Sequence, residues 1–315
     1  MNPSVNLSPR SKSRMGRFMR EKNYHFMVWP GVLFMLVFSY YPMVGIVMAF
    51  QNYKYGNGIF GSPWVGTMQF QMMFRDPAFW NALRNTVGIS AIKMVTGFIC
   101  PIVFALALNE VGSKKFKRFV QTASYLPYFI SWVVVASLMT FWLGTDVQGI
   151  INKALVGLGI LKEPVAFLTY PEYFWSIAVI SEIWKTTGWS AIIYFAAISG
   201  IDQEMYEAAT VDGAGRLRKI WNITLPAIKP TMAILLILSA GNLFKGSFDQ
   251  SYLLQNAMNF CSSDIMETYV LRYGMSLGRF SMATAAGLFQ SLLNVVAVLI
   301  VNGAVKLLDR EQGLF

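Results

Sequence analysis

Three ionisable side chains lie inside long apolar stretches of this sequence: Lys93, Glu182 and Lys185. A charge held at bilayer depth is costly, and it persists where it faces a helix-bundle interior or a wet cavity. Glu182 and Lys185 stand at i and i+3. On a helix they share a face, so they can neutralise one another or turn together toward a solute. Lys93 has no such local partner. It can meet an acidic solute, snorkel to an interface or pair with another subunit. Trp132, Trp184 and Trp189 carry flat apolar faces that suit packing, lipid or the C–H face of a polar solute. Other chemistry finds little material. His25 is the single histidine, which argues against a histidine metal site or a catalytic triad. Cys100 sits in an apolar span before Pro101 and Cys261 in a polar loop, so a disulfide between them is not expected and they leave the redox compartment open. No G-x-x-x-x-G-K-[ST] phosphate loop occurs, and Lys114-Lys115 cannot replace its backbone amides, so any nucleotide must bind a separate polypeptide.

The elements that must position these side chains follow from composition. Hydrophobic residues make up 55% and charged residues 13% of the 315 residues, far from the roughly one-quarter charged of soluble domains. Six apolar stretches are near or above the ~20 residues that cross a bilayer as a helix: 26–50, 84–108, 119–143, 174–199, 226–244 and 281–307. The first is too long for a secretory h-region and has no small-residue cleavage site after it, so it reads as an uncleaved span with a kink at Pro42. The expected fold is an all-α integral membrane protein of six transmembrane helices. A basic tail (1–25) precedes a six-helix membrane body (26–307), and a short tail (308–315) follows it. Charge sets the orientation. Sixteen Lys and Arg residues fall on the side of the two termini, including Arg10, Lys114, Arg118, Arg216, Lys229 and Arg310, against eight on the other. The positive-inside rule makes the first side cytoplasmic, and the basic tail reads as a topology determinant and anionic-lipid contact rather than a nucleic-acid site.

One polar interval, Glu204 to Pro230, carries a helical pattern of its own. Met205 to Ala209 are good helix formers. Asp212-Gly213-Ala214-Gly215 interrupts, since glycine takes the positive φ of a sharp turn. Leu217, Ile220, Trp221 and Leu225 then share one helical face, with Arg216, Arg218 and Lys219 off it, and Pro226 opens the next apolar span. A helix, a tight turn and a second short helix are expected at the cytoplasmic surface, between the fourth and fifth spans (200–226).

Glu207-Ala208-Ala209, then Asp212-Gly213-Ala214, then Ile223-Thr224-Leu225-Pro226, with Tyr206 before and Pro230 after, resemble the EAA loop of binding-protein-dependent ABC importer permeases. The sequence departs at Asp202-Gln203, where many members carry a proline. The aromatic outer loop around Gly58–Gly66, with Phe79-Trp80 and Asn85-Thr86, resembles that of oligosaccharide permeases, particularly the aldouronate, pectin-fragment and alginate branch. Most of these aromatics suit anchoring at the membrane interface.

The resemblance implies a permease subunit in a bacterial cytoplasmic membrane, forming half of a pathway for an oligosaccharide. It implies a second homologous permease, two cytoplasmic ABC ATPase subunits that hold ATP and Mg, and an extracellular solute-binding protein. This chain would bind no cofactor and catalyse nothing. Tyr206, Glu207, Ala208, Ala209, Asp212, Gly213, Ala214, Leu225 and Pro226 become the residues expected to couple to the ATPase. Glu207 would offer a charge-assisted contact, the alanines close approach and Gly213 the turn. Lys93, Trp132, Glu182, Trp184, Lys185 and Trp189 become the residues expected along the solute path. Other readings stay open: a simple sugar, polyol or phosphodiester as solute, or an ion-coupled secondary transporter built around Glu182.

Overall fold

The computed structural model describes residues 22–146, 149–244 and 248–308. The basic tail with Arg10, the outer-loop Lys245 and the terminal Arg310 lie outside them.

Among the described residues the chain is helical, with a lone antiparallel bridge between Gln51 and Trp64. The first span, α1 (Tyr24–Phe50), passes from α-helix through a π turn at Leu36–Tyr40 into a 3-10 segment beginning at Tyr41. Pro42 lies at the start of that tightening, where its ring cannot continue α-helical hydrogen bonding. A short helix α2 (Met68–Arg75) leads to α3 (Pro77–Asn109), which starts seven residues earlier than the apolar pattern suggests. Local chemistry explains the start: Pro77 occupies the first turn, and the Asp76 carboxylate accepts from the Ala78 N–H at 3.0 Å.

The third apolar stretch is not one straight helix. It comprises α4 (Lys114–Tyr125), a 3-10 turn over Leu126–Phe129 and α5 (Trp132–Leu143), and the two halves meet at 102°. Pro127 falls in the turn, and the Ser131 hydroxyl caps α5 by accepting from the Val134 N–H at 3.4 Å. After a short α6 (Ile150–Gly157), α7 (Pro171–Ser199) is 29 residues long, enough to cross a bilayer. Among the described residues four helices are both long and apolar enough to span, or five if the bent pair is one span. α7 is not among them, because Glu182, Lys185 and neighbouring threonines dilute its apolarity.

Next come α8 (Gln203–Val211) and α9 (Arg216–Ala240), which is continuous through a π turn at Ile220–Thr224. The expected second short helix of the polar interval is therefore the first turns of the following span. Helices α10 (Phe248–Leu254) and α11 (Met266–Leu271), in the stretch expected from charge to form an outer segment, precede α12 (Phe280–Leu308).

α3 and α7 form the most extensive helix pair in the body, with Gly88 pressed against the Trp175 ring. Two buried clusters mark the two ends of the bundle. At one, Met73, Phe79 and Ala82 pack with Met266, Tyr269 and Met282. At the other, Leu108, Ile198, Ile201 and Ile228 pack with Tyr206, Ile223 and Leu225. The starts of α3 and α12 thus share one end, while the ends of α3 and α7 share the other with the start of α9. Apolar side chains such as Phe34, Ile99, Ile180 and Leu299 remain exposed along the helices, as lipid or a neighbouring subunit requires.

Candidate functional site

Two places merit description, an elbow at one end of the bundle and a cavity within it. The elbow starts at Asp202, whose carboxylate accepts from the Glu204 N–H at 3.0 Å and so opens α8. α8 closes where Gly213 takes a φ of 75°, with the Ala214 N–H reaching back to the Ala209 carbonyl at 2.8 Å. This is a glycine-dependent helix stop. The base is tied down. Tyr206 Oη pairs with the buried Thr224 Oγ1 at 2.9 Å across the turn, and Lys219 Nζ donates to Thr210 Oγ1 at 2.6 Å. Leu225 packs on the Leu108, Ile198 and Ile228 cluster, and Pro226 sits in the first turn of the straight part of α9.

The tip is different in character. Glu207, Ala208 and Asp212 are exposed, and so are Val211 (89%), Leu217 (73%) and Trp221 (68%). Large apolar groups thus stand exposed beside charges on a fixed base. The residues of the motif therefore divide. Tyr206, Gly213, Ala214 and Leu225 build the elbow, whereas Glu207, Ala208 and Asp212 are presented by it.

The cavity, about 370 Å³, lies between α3, α7 and the end of α9. Lys93 and Glu182 line it as an ion pair at 3.3 Å, and Lys93 also donates to Gln250 Oε1. Gln250 is fully buried and spends its amide protons on the Ala178 carbonyl and Ser181 Oγ, both at 2.8 Å. α10 thereby threads a polar link from the outer segment to the two central helices. Trp189 forms another wall and stacks on Tyr128 with ring centroids 4.6 Å apart and planes within 6°. Thr186, Ser190, Ser239 and Asn242 add hydrogen-bonding groups.

Of the six expected path residues, Lys93, Glu182 and Trp189 come together here. In place of the expected solute, interface or second subunit, it is Glu182 of this chain that reaches Lys93 across the helix pair. Glu182 and Lys185 do not neutralise each other by direct contact. Lys185, 7% exposed, instead donates to the carbonyls of Pro127 (3.2 Å), Tyr128 (2.8 Å) and Ile130. Trp132 lies beside that ammonium at 5.6 Å, and Trp184 packs edge-on against Trp142; neither lines the cavity. Sequence reasoning missed Tyr128, Gln250, Thr186 and Ser190. Thr186, Trp189 and Ser190 follow Glu182 at helical spacing, so a polar stripe on α7 was the available signal.

Above the cavity, the outer segment is locked to α3. Arg272 makes a two-pronged contact with the buried Asp264, both bonds 2.7 Å, and Asp264 also accepts from Thr268. The hydrogen bond to Asp264 holds the Arg272 guanidinium above its usual range. Asn85 donates to the carbonyls of Cys261 and Asp264, each at 2.9 Å, and Asp76 accepts from Tyr269 and Tyr273.

Such a body, helical, lipid-faced and hollow at its polar centre, is that of a multi-pass membrane permease. Residues 97–311 match the binding-protein-dependent transport system inner membrane component family, and the chain belongs to it. It is 42% identical over 299 residues, 95% of this chain and 92% of the other, to the polygalacturonan/rhamnogalacturonan transport system permease protein YteP of Bacillus subtilis (strain 168). It is 41% identical to protein LplB of the same organism over 96% of this chain and 94% of that one. Among solved structures, a chain of a bacterial ABC transporter involved in import of the acidic polysaccharide alginate superposes with a TM-score of 0.85 at 37% identity. That match covers 94% of this chain and 99% of the other. A chain of the alginate transporter in complex with an alginate pentasaccharide-bound periplasmic protein gives 0.86 at 36% identity, covering 95% and 98%. The family resemblance read from the EAA-like loop is thus borne out over nearly the whole chain.

Proposed function

We propose that this chain is the membrane-spanning subunit of an ATP-driven importer and forms half of a pathway for an oligosaccharide. One observation carries the reading: the likeness to the YteP and alginate-importer chains runs through both the elbow and the cavity. The cavity suits such a solute chemically. Tyr128 and Trp189 offer ring faces, the Lys93–Glu182 pair offers charge of both signs, and Thr186, Ser190, Ser239 and Asn242 offer groups for sugar hydroxyls.

The elbow faces the cytoplasm and seats in a groove of an ATPase subunit, with Glu207 contacting a basic residue there. ATP and Mg bind that partner and not this chain. The positive-inside charge distribution supports this orientation, with both termini on the elbow's side. Six crossings account for the placement of elements at the two clustered ends, with α4 and α5 as one broken span and α7 as a polar one. A second permease completes the pathway, and an extracellular solute-binding protein delivers the oligosaccharide. The domain layout is a basic tail, a 26–307 body with its loop at 200–226, and a short C-terminal tail. The test is uptake by proteoliposomes holding the full complex and its binding protein, offered uronate-containing and neutral oligosaccharides. Saturable uptake of either, dependent on internal ATP, is expected. Uptake driven by an ion gradient without ATP would overturn the reading.

A further inference from the structure

Lys185 is buried at the point where the third span breaks, and its bonding is unusual for a lysine on a helix. We propose that Lys185 is a positioning residue: it clamps the break between α4 and α5 and so sets the Tyr128 wall of the solute cavity against Trp189. The inference rests on the reading of that cavity as part of the solute path.

An ammonium has three donors and no acceptor. Here all three have an address, the carbonyls of Pro127, Tyr128 and Ile130, which bracket the turn of the break. The Pro127 carbonyl already accepts from the Ile130 N–H at 3.2 Å, so Lys185 adds a second donor there. Within a membrane a backbone carbonyl without a donor costs several kcal/mol, and at Tyr128 and Ile130 the ammonium brings the donor that the broken helix does not. The cation also lies 5.6 Å from the ring centroids of both Tyr128, within the turn, and Trp132, at the start of α5, and so within cation–π range of each. The ammonium thus holds the turn by its carbonyls and by a ring from the turn and one from the helix that follows.

The same short piece of α7 grips the break twice more. Trp189, four residues on and one turn further along, stacks on Tyr128. Gly188 lies between them in sequence, and a Cβ there would stand 2.1 Å from the Ser124 carbonyl oxygen, so α7 meets the end of α4 backbone to backbone. Lys185 fixes the main chain of Tyr128, and Trp189 receives its ring. Tyr128 and Trp189 both line the cavity, whereas Lys185 does not. Its influence on a passing solute is therefore indirect, through the angle of the break.

The test uses the complete reconstituted complex, and reads solute molecules moved per ATP hydrolysed, with complex yield and thermal stability alongside. Lys185→Met removes all three donors, Lys185→Gln leaves two, and Lys185→Arg offers a planar fork that cannot reproduce a point cation among three carbonyls. Expected is at least a tenfold fall in solute per ATP for Lys185→Met, with binding-protein-stimulated hydrolysis retained and smaller falls for the other two. Gly188→Ala should lower the same ratio by pushing the helices apart. If Lys185→Met fails to assemble, Lys185→Gln and Lys185→Arg carry the reading. A normal ratio in every assembled variant, with only yield or stability reduced, would make Lys185 merely structural and overturn the proposal. Normal transport by Lys185→Met beside loss in Trp189→Ala would sink the clamp alone. Normal transport by both would sink the cavity reading itself.

Discussion

Replacing Gly213 by alanine isolates the elbow's turn from everything else in the chain. Gly213 holds a φ of 75°, and a Cβ built there meets no atom within 4 Å, so the substitution introduces backbone strain and no clash. Holding an L-residue in that left-handed region costs about 1–2 kcal/mol. The strained turn competes with conformations in which Ala214 no longer reaches the Ala209 carbonyl and α8 is no longer aimed. The apparent dissociation constant for a docking partner rises in inverse proportion to the competent fraction, and about 1.4 kcal/mol is a factor of ten. Gly213→Ala should therefore weaken association with the ATPase subunits by roughly 5- to 30-fold, read by titrating them onto the purified permease pair. Gly215, two residues on, has an ordinary φ of −70° and an open surround. Gly215→Ala should leave affinity within twofold or so. Equal damage from both, or none from Gly213→Ala, would refute the argument.

Three further outcomes follow from the same geometry. Glu207→Lys reverses an exposed charge, so it should leave insertion and amount unchanged while uncoupling ATP hydrolysis from uptake, measured as solute per ATP. Lys93→Met and Glu182→Gln each remove one member of a partly buried ion pair, and the double variant should be milder than the sum, with a coupling of about 1–3 kcal/mol in thermal-unfolding cycles. Asp264→Asn leaves Arg272 without its buried carboxylate and should lower stability by about 3 kcal/mol; in the parent chain, because that arginine is held above its usual range, the pair's contribution is full below the ordinary arginine value and is lost only as pH rises from there through the raised one.

The sequence was most readable where chemistry is local. Asp212-Gly213-Ala214 announced a glycine-dependent stop, and Gly213 takes the positive φ that such a stop requires. Apolar length announced four of the described helices, or five with the bent pair, although Asp76 and Pro77 moved the start of α3, a detail that turns on one cap. What depends on two helices meeting was not legible. Lys185 looked like a partner for Glu182, three residues away, because nothing in linear spacing says that α4 breaks beside it. Glu182 and Lys93 are 89 residues apart, and their pairing follows from how α3 and α7 pack. Gln250 lies in a polar stretch with no motif to single it out, yet burial obliged every polar atom of its amide to find a partner.

The most direct test of the account labels two cysteines from opposite sides of the membrane. Native Cys261 is exposed in the outer segment, and Glu207→Cys adds a thiol on the exposed face of the elbow; Cys100→Ser clears the remaining site. An impermeant maleimide should modify Cys261 in right-side-out vesicles and the position-207 thiol only in inside-out ones. Bound ATPase subunits should then protect position 207 and leave Cys261 unaffected. Labelling of both thiols from the same side, or a position-207 thiol indifferent to saturating ATPase, would contradict it.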